Sequence, residues 1–77
     1  MLRKVSGKMC IAVPGQIISV NDTQASVNIM NMHTIVNIQL IEKPEVGEYI
    51  LVHAGCAIEK IDRGYFDELI DIYERFF

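Results

Sequence analysis

Ala25-Ser26-Val27-Asn28-Ile29-Met30-Asn31-Met32-His33-Thr34-Ile35-Val36-Asn37-Ile38-Gln39-Leu40-Ile41 is the stretch on which the fold turns. Ala25, Val27 and Ile29 alternate with Ser26, Asn28 and Met30, the period of two that belongs to a strand with one wet face. Asn31 falls where a tight connection is needed, and Asn tolerates the left-handed conformation such turns impose. Beyond it, Thr34, Val36, Ile38 and Leu40 face one way, and Ile35, Asn37, Gln39 and Ile41 the other. The middle of the chain is therefore a β-hairpin.

Working outward, Ile11 to Val20 reads as a preceding strand. Proline cannot donate to a ladder, so Pro14-Gly15 near its start marks an edge, a bulge or a bend. Asn21-Asp22-Thr23-Gln24 is a turn by composition. Downstream, Glu42 to Glu48 is a polar loop punctuated by Pro44 and Gly47. Tyr49 to Ile58 reads as a fourth strand. Ile50, Val52, Ala54, Cys56 and Ile58 share one face, and Tyr49, Leu51, His53, Gly55 and Ala57 the other. Asp62 is a good N-cap for a helix beginning just after it. Phe66, Leu69, Ile70, Tyr73 and Phe77 recur at helical spacing with Asp67, Glu68, Asp71 and Glu74 between them, which predicts one amphipathic C-terminal helix over about 62–77. Tyr65, Ile72 and Phe76 widen its apolar arc beyond what a small barrel needs, so part of the helix is available to a partner. The whole is mainly β, a small curled antiparallel barrel that the helix plugs or flanks.

Seventy-seven residues, half of them hydrophobic, make one domain with a small core. The net charge of -3 and the scatter of Arg3, Lys4, Lys8, Lys43, Lys60, Arg63 and Arg75 argue against a phosphate-binding surface. No Trp is present and most aromatics fall near the C-terminus, so there is no aromatic-basic face for single strands. No apolar run is long enough to span a bilayer, and no apolar segment before Cys10 suggests a secretory signal. Two cysteines, Cys10 and Cys56, make a disulfide scaffold a poor fit, and a cytoplasmic chain with reduced thiols is the simpler reading. Met1 to Lys8 is polar, basic and patternless and reads as an N-terminal extension or expression remnant, with residues 9–77 as the single domain.

The chemistry begins at Met9-Cys10. If translation starts at Met9, trimming it leaves Cys10 with a thiol and a free α-amine on one residue. A buried small hydrophobe is the common fate of a free Cys. Cys10, however, precedes the strand with only Met9 as an apolar neighbour on its N-terminal side. A thiolate on a chain end is a mobile ligand for a soft metal. His53 is either a half-buried strand histidine satisfied by backbone or a metal ligand and proton acceptor for a thiol. Gly55, two residues on, leaves open space beside it. His33, near Met30 and Met32, reads as a solvated turn residue, although thioether and imidazole suit Cu(I). Cys56 reads as core, with a Cys10–Cys56 disulfide as the other option. The helix carboxylates form a wet face rather than a catalytic pair.

Two stretches together resemble a known family. Met9-Cys10-Ile11-Ala12-Val13-Pro14-Gly15-Gln16-Ile17 is similar to the N-terminal signature of the HypC/HupF hydrogenase maturation chaperones. Val46-Gly47-Glu48-Tyr49-Ile50-Leu51-Val52-His53-Ala54-Gly55 is similar to their second shared stretch. The resemblance implies an OB-like antiparallel barrel with a C-terminal α-helix and a chaperone rather than an enzyme. It implies binding to the iron–sulfur scaffold protein HypD, where iron receives cyanide and carbon monoxide. Delivery of that iron, as an Fe(CN)2CO group held in the complex, to the [NiFe]-hydrogenase large-subunit precursor would come next. The family's essential cysteine maps onto Cys10 and its strand histidine onto His53 as metal-handling residues. Met9, Ile11, Pro14, Gly15 and Gly55 map as partner-binding or shaping residues. Neither a nucleic acid nor a membrane is implied as partner. In relatives a larger apolar residue often stands at the position of Cys56, and the family starts at its Met-Cys pair, eight residues into this chain. Two readings from other classes stand beside it: a soft-metal carrier acting alone through Cys10, Met30, Met32 and His33, and a small nucleic-acid-binding barrel.

Overall fold

The computed structural model describes residues 12–76. In chain order it forms strands β1 (Val13–Asn21), β2 (Gln24–Ile29), β3 (Met32–Asn37), β4 (Tyr49–His53) and β5 (Cys56–Ile61), followed by helix α1 (Arg63–Phe76). The strands close into a barrel in the order β1-β2-β3-β5-β4, with β4 returning to β1. The expected mainly-β, OB-like barrel with a C-terminal helix is the fold observed.

Each hairpin is turned by two residues. Met30 and Asn31 both take positive φ, 48° and 71°, as do Ala54 and Gly55, 54° and 79°. Positive φ at both central positions is the mirror-image turn whose twist matches paired strands. The turn expected at Asn31 is present and engages Met30 as well. Asp22, also at positive φ, turns β1 into β2.

The segment Tyr49 to Ile58 is not one strand. Ala54-Gly55 breaks it into a hairpin, with His53 opposite Cys56 and Val52 opposite Ala57. The reversal resets the face parity. Ala57, not Cys56, joins Ile50 and Val52 inside, and Ile58 is exposed. The expectation that Cys56 is core therefore fails; it is half-buried and outside the core cluster. The third strand also stops earlier than alternation suggests. After Asn37 the chain bends, and the Ile41 amide donates to the Ile38 carbonyl at 3.2 Å. Ile38 and Ile41 thereby both enter the core while Leu40 is left exposed.

One rung departs from the antiparallel plan. β3 and β5 meet in parallel at Asn37 and Cys56, where the Asn37 amide donates to the Gly55 carbonyl at 2.9 Å. The β4–β5 turn thus serves as the barrel's closing seam. Ile17, Ala25, Val27, Val36, Ile38, Ile41, Ile50, Val52 and Ala57 fill the interior.

Pro14 and Gly15 lie within β1, opposite Leu51 and Ile50 of β4. Pairing of β1 with β2 starts only at Gln16, so Pro14 has a ladder partner on one side and its missing N–H disturbs no second ladder. The bulge in β1 falls later, between Ile17 and Ser19. Gly15 is required by space: a Cβ there would stand 2.6 Å from Val27 Cγ1 and 3.0 Å from Ile29 Cγ1.

Helix α1 starts where expected. The Tyr65 amide donates to Asp62 Oδ1 at 2.8 Å, the N-cap bond. Phe66, Leu69, Ile70 and Tyr73 are half-buried and turn toward the barrel, and the Phe66 ring lies 4.3 Å from that of Tyr49. No residue of the helix is fully buried. It flanks the barrel rather than plugging it. Phe77 lies outside the described residues.

The crowding at Gly15 makes a direct prediction. Gly15→Ala forces Val27 and Ile29 to shift, and overpacking of this kind costs about 1–3 kcal/mol. Urea denaturation of the two proteins should show that loss; equal midpoints would contradict the packing described.

Candidate functional site

His53 ends β4, half-buried, and its partner across the turn is Cys56, also half-buried. One residue before it, Val52 pairs with Val13, the first residue of β1. The entry of the first strand, the end of the fourth and the start of the fifth therefore meet at one end of the barrel. Gly55, at positive φ and with open space where a Cβ would stand, sits in the turn between His53 and Cys56. Pro14 and Gly15 hold the strand that leads to this corner. Met9, Cys10 and Ile11 lie outside the described residues.

Ala12 is the point at which the helix reaches this corner. The Tyr73 hydroxyl donates to the Ala12 carbonyl, joining residues far apart in sequence. Burial of the phenol raises the Tyr73 pKa, and the neighbouring Tyr65 raises it further. Both effects favour the neutral phenol, which is the form that donates.

A cleft of about 530 Å³ runs between α1 and the β1–β2 pair. Met30, Phe66, Ile70 and Tyr73 supply its apolar lining, with Gln16 and Asn28 at its polar side. Beyond the cleft the helix keeps Tyr65, Ile72 and Phe76 exposed, as its wide apolar arc suggests.

The soft-donor residues near the β2–β3 turn do not assemble. Met32 pairs with Ile29 and His33 with Asn28, and as strand neighbours they point to opposite faces. Met32 and His33 are exposed, as a solvated turn implies. Among the described residues no group of three or more His, Cys, Asp or Glu is placed to hold a metal ion. Among the described cations, Lys60, Arg63 and Arg75 face Glu48, Asp67 and Asp71 rather than forming a basic stripe. No helix among the described residues is long and apolar enough to cross a membrane.

Comparison with known proteins gives the family. The sequence model of the HupF/HypC family matches residues 9–73. The chain belongs to the HupF/HypC family. Among relatives, the hydrogenase maturation factor HypC of Escherichia coli (strain K12) is 32% identical over 75 residues, covering 90% of this chain and 83% of that protein. That of Rhizobium leguminosarum bv. viciae is 36% identical over 55 residues, 70% of this chain and 73% of its own. That of Azotobacter chroococcum mcd 1 is 34% identical over 55 residues, with 70% and 66% covered. The family match includes both the Met9-Cys10 pair and the hairpin that carries His53. The relatives it matches are hydrogenase maturation factors. Sequence reasoning missed the pairing of Cys56 with His53. The signal was Ala54-Gly55, a dipeptide suited to positive φ in the middle of an apolar run.

The Tyr73 anchor yields a pH prediction with a definite sign. A folded-state pKa raised above the usual value, about 10, means that the neutral phenol is favoured by folding. The stabilisation is complete below that usual value and is lost as pH rises through the raised one. Wild-type stability should therefore fall more steeply than that of Tyr73→Phe above pH ~10. At neutral pH the variant should be less stable by about 0.5–1.5 kcal/mol, the net worth of one hydrogen bond. Thermal melts across pH measure both, and parallel curves would contradict the anchor.

Proposed function

We propose that this chain is a hydrogenase maturation chaperone that binds the iron–sulfur scaffold HypD while the Fe(CN)2CO group is assembled. It then accompanies that iron to the [NiFe]-hydrogenase large-subunit precursor. The protein is an adaptor and carrier rather than an enzyme, acts in the cytoplasm, and handles iron as cargo within the complex.

The observation that carries this reading is the position of His53 beside the entry of β1. Cys10 is three residues upstream of Val13. Three residues of chain reach at most about 10–11 Å, so the thiol is tethered within reach of the His53 corner. A thiolate is a soft ligand suited to low-spin iron, and a single thiolate on a tethered arm exchanges readily with ligands on a partner. His53 serves as proton acceptor for the thiol or as a second contact to the cargo. Metal binding by a thiol releases its proton, so a nearby base favours uptake.

The helix supports the same reading. Tyr65, Ile72 and Phe76 give an amphipathic element an exposed apolar edge, which suits a protein whose work is docking. Through Tyr73 and Ala12 this element also holds the chain two residues from Cys10.

Anaerobic co-purification with HypD, followed by infrared spectroscopy of iron-bound cyanide and carbon monoxide, tests the assignment. Wild type should carry the scaffold and the ligand bands. Cys10→Ala should lose the bands, and His53→Ala should weaken them. Intact bands in Cys10→Ala would reduce the protein to a docking adaptor, and no complex at all would overturn the partner assignment.

A further inference from the structure

The cleft between α1 and the β1–β2 pair carries polar groups of one kind. Gln16 and Asn28 lie directly opposite each other in the β1–β2 ladder, and their neighbours Ile17 and Val27 are buried in the barrel. Alternation therefore turns both carboxamides outward on one face, with Cβ atoms about 4.5–5.5 Å apart. Both line the cleft. Asn28 Oδ1 is buried and accepts no hydrogen bond. A buried acceptor left unpaired is destabilising and calls for a donor from outside.

The donors close by are committed elsewhere. Gln16 Nε2 donates to the Gly47 carbonyl at 3.2 Å, which leaves Gln16 Oε1 as the end of that carboxamide still able to accept. The single Tyr73 hydroxyl hydrogen goes to the Ala12 carbonyl. Glu74 adds a carboxylate to the lining, and no cationic side chain among the described residues lies beside it there. The ion pairs among the described residues are Lys60–Glu48, Arg63–Asp67 and Arg75–Asp71, so Glu74 belongs to none.

The remaining wall is apolar. Phe66, Ile70 and Tyr73 follow one helix face at positions i, i+4 and i+7, and Met30 completes the lining. At about 530 Å³ the cleft falls within the ~300–1,000 Å³ of ligand sites. Acceptors without donors, an unpaired carboxylate and aromatic walls define a cationic guest. Arginine has five N–H donors and no acceptor, and its planar head stacks on aromatic rings. The net charge of -3 favours a basic guest as well. A water molecule would satisfy Asn28 but use neither the carboxylate nor the apolar wall.

We propose that this cleft is the docking pocket for one arginine side chain exposed on a partner protein. The guanidinium donates to Asn28 Oδ1 and Gln16 Oε1, and its charge faces Glu74. Its methylene stem packs on Phe66, Ile70 and Met30. The pocket takes nothing from Cys10, His53 or the proposed iron cargo, so it stands or falls separately from that reading.

The test uses the full chain, isotope-labelled for nuclear magnetic resonance and titrated with the capped tripeptide Ala-Arg-Ala. The side-chain amide signals of Asn28 and Gln16 should move together and saturate. Capped peptides carrying citrulline, which has the shape of arginine without its charge, or norleucine should leave them unmoved. Glu74→Gln should weaken binding about fivefold, the upper end for an exposed ion pair. Asn28→Leu should abolish binding while leaving the melting temperature equal or higher, because it removes an unpaired buried acceptor. A merely structural Asn28 would lower it. Wild-type affinity in both variants, or equal shifts with the citrulline peptide, would overturn the proposal. Tighter binding of free arginine than of the capped peptide would overturn the partner protein as occupant. So would binding that appears only when Arg3→Ser, Lys4→Ser and Lys8→Ser are combined, which would give the cleft to this chain's own basic residues. A dimer that the peptide dissociates in sedimentation would likewise overturn it, in favour of a second copy.

Discussion

The reversal at Ala54–Gly55 requires two consecutive residues at positive φ. Alanine is an uncommon occupant of that region, since its Cβ crowds the following carbonyl. The surrounding pairing holds it there: β4 lies between β1 and β5, and the Gly55 carbonyl is bonded to β3. Without the turn, β5 could not reach β3, and the barrel would remain an open sheet with two exposed edges. The same reversal sets His53 opposite Cys56 and turns both away from the core. Closure of the fold and composition of the candidate site therefore depend on one local backbone conformation.

Much of the architecture was legible because it obeys simple periods. Alternation marked the strand containing Val27 and Ile29, and Asp22 and Asn31 marked its turns. The spacing of Phe66, Leu69, Ile70 and Tyr73 marked a helix that Asp62 does cap. Alternation failed where the chain bends without losing hydrophobicity. From Ile38 to Ile41 the burial comes from a loop folding under the barrel, so parity assigned Leu40 and Ile41 wrongly. From Tyr49 to Ile58 an apolar run hid a hairpin, because a two-residue turn between two half-buried strands need not be polar. The candidate site was legible to the same extent. His53 stood out as a histidine in an apolar run with a glycine beside it. Its partner Cys56 could not be paired with it until the reversal was known, since the two then change from opposite faces to one. Cys10 was singled out by position alone and lies outside the described residues.

Two kinds of restraint act on the end of the barrel that carries His53. Covalent and ladder geometry hold β1 and β4 together, with Gly15 letting β1 press against Val27 and Ile29. The helix adds a lighter restraint, an aromatic contact at Phe66 and a hydroxyl bond at Tyr73, with no residue fully buried. Sites on rigid elements hold geometry better than sites on loops, while docking elements are drawn from the less stable parts of a fold. The molecule divides these demands between barrel and helix.

The bond between Tyr73 and Ala12 also has a consequence for the order of events during folding. It joins positions 61 residues apart, nearly the full described length of the chain. Every barrel strand lies within residues 13–61, so the ladders and core can assemble before the helix is anchored. Long-range contacts of this kind close last, because the chain between their ends must be ordered first. The barrel can thus form first, and Ala12 gains its tie to the helix as the last long-range contact of the fold.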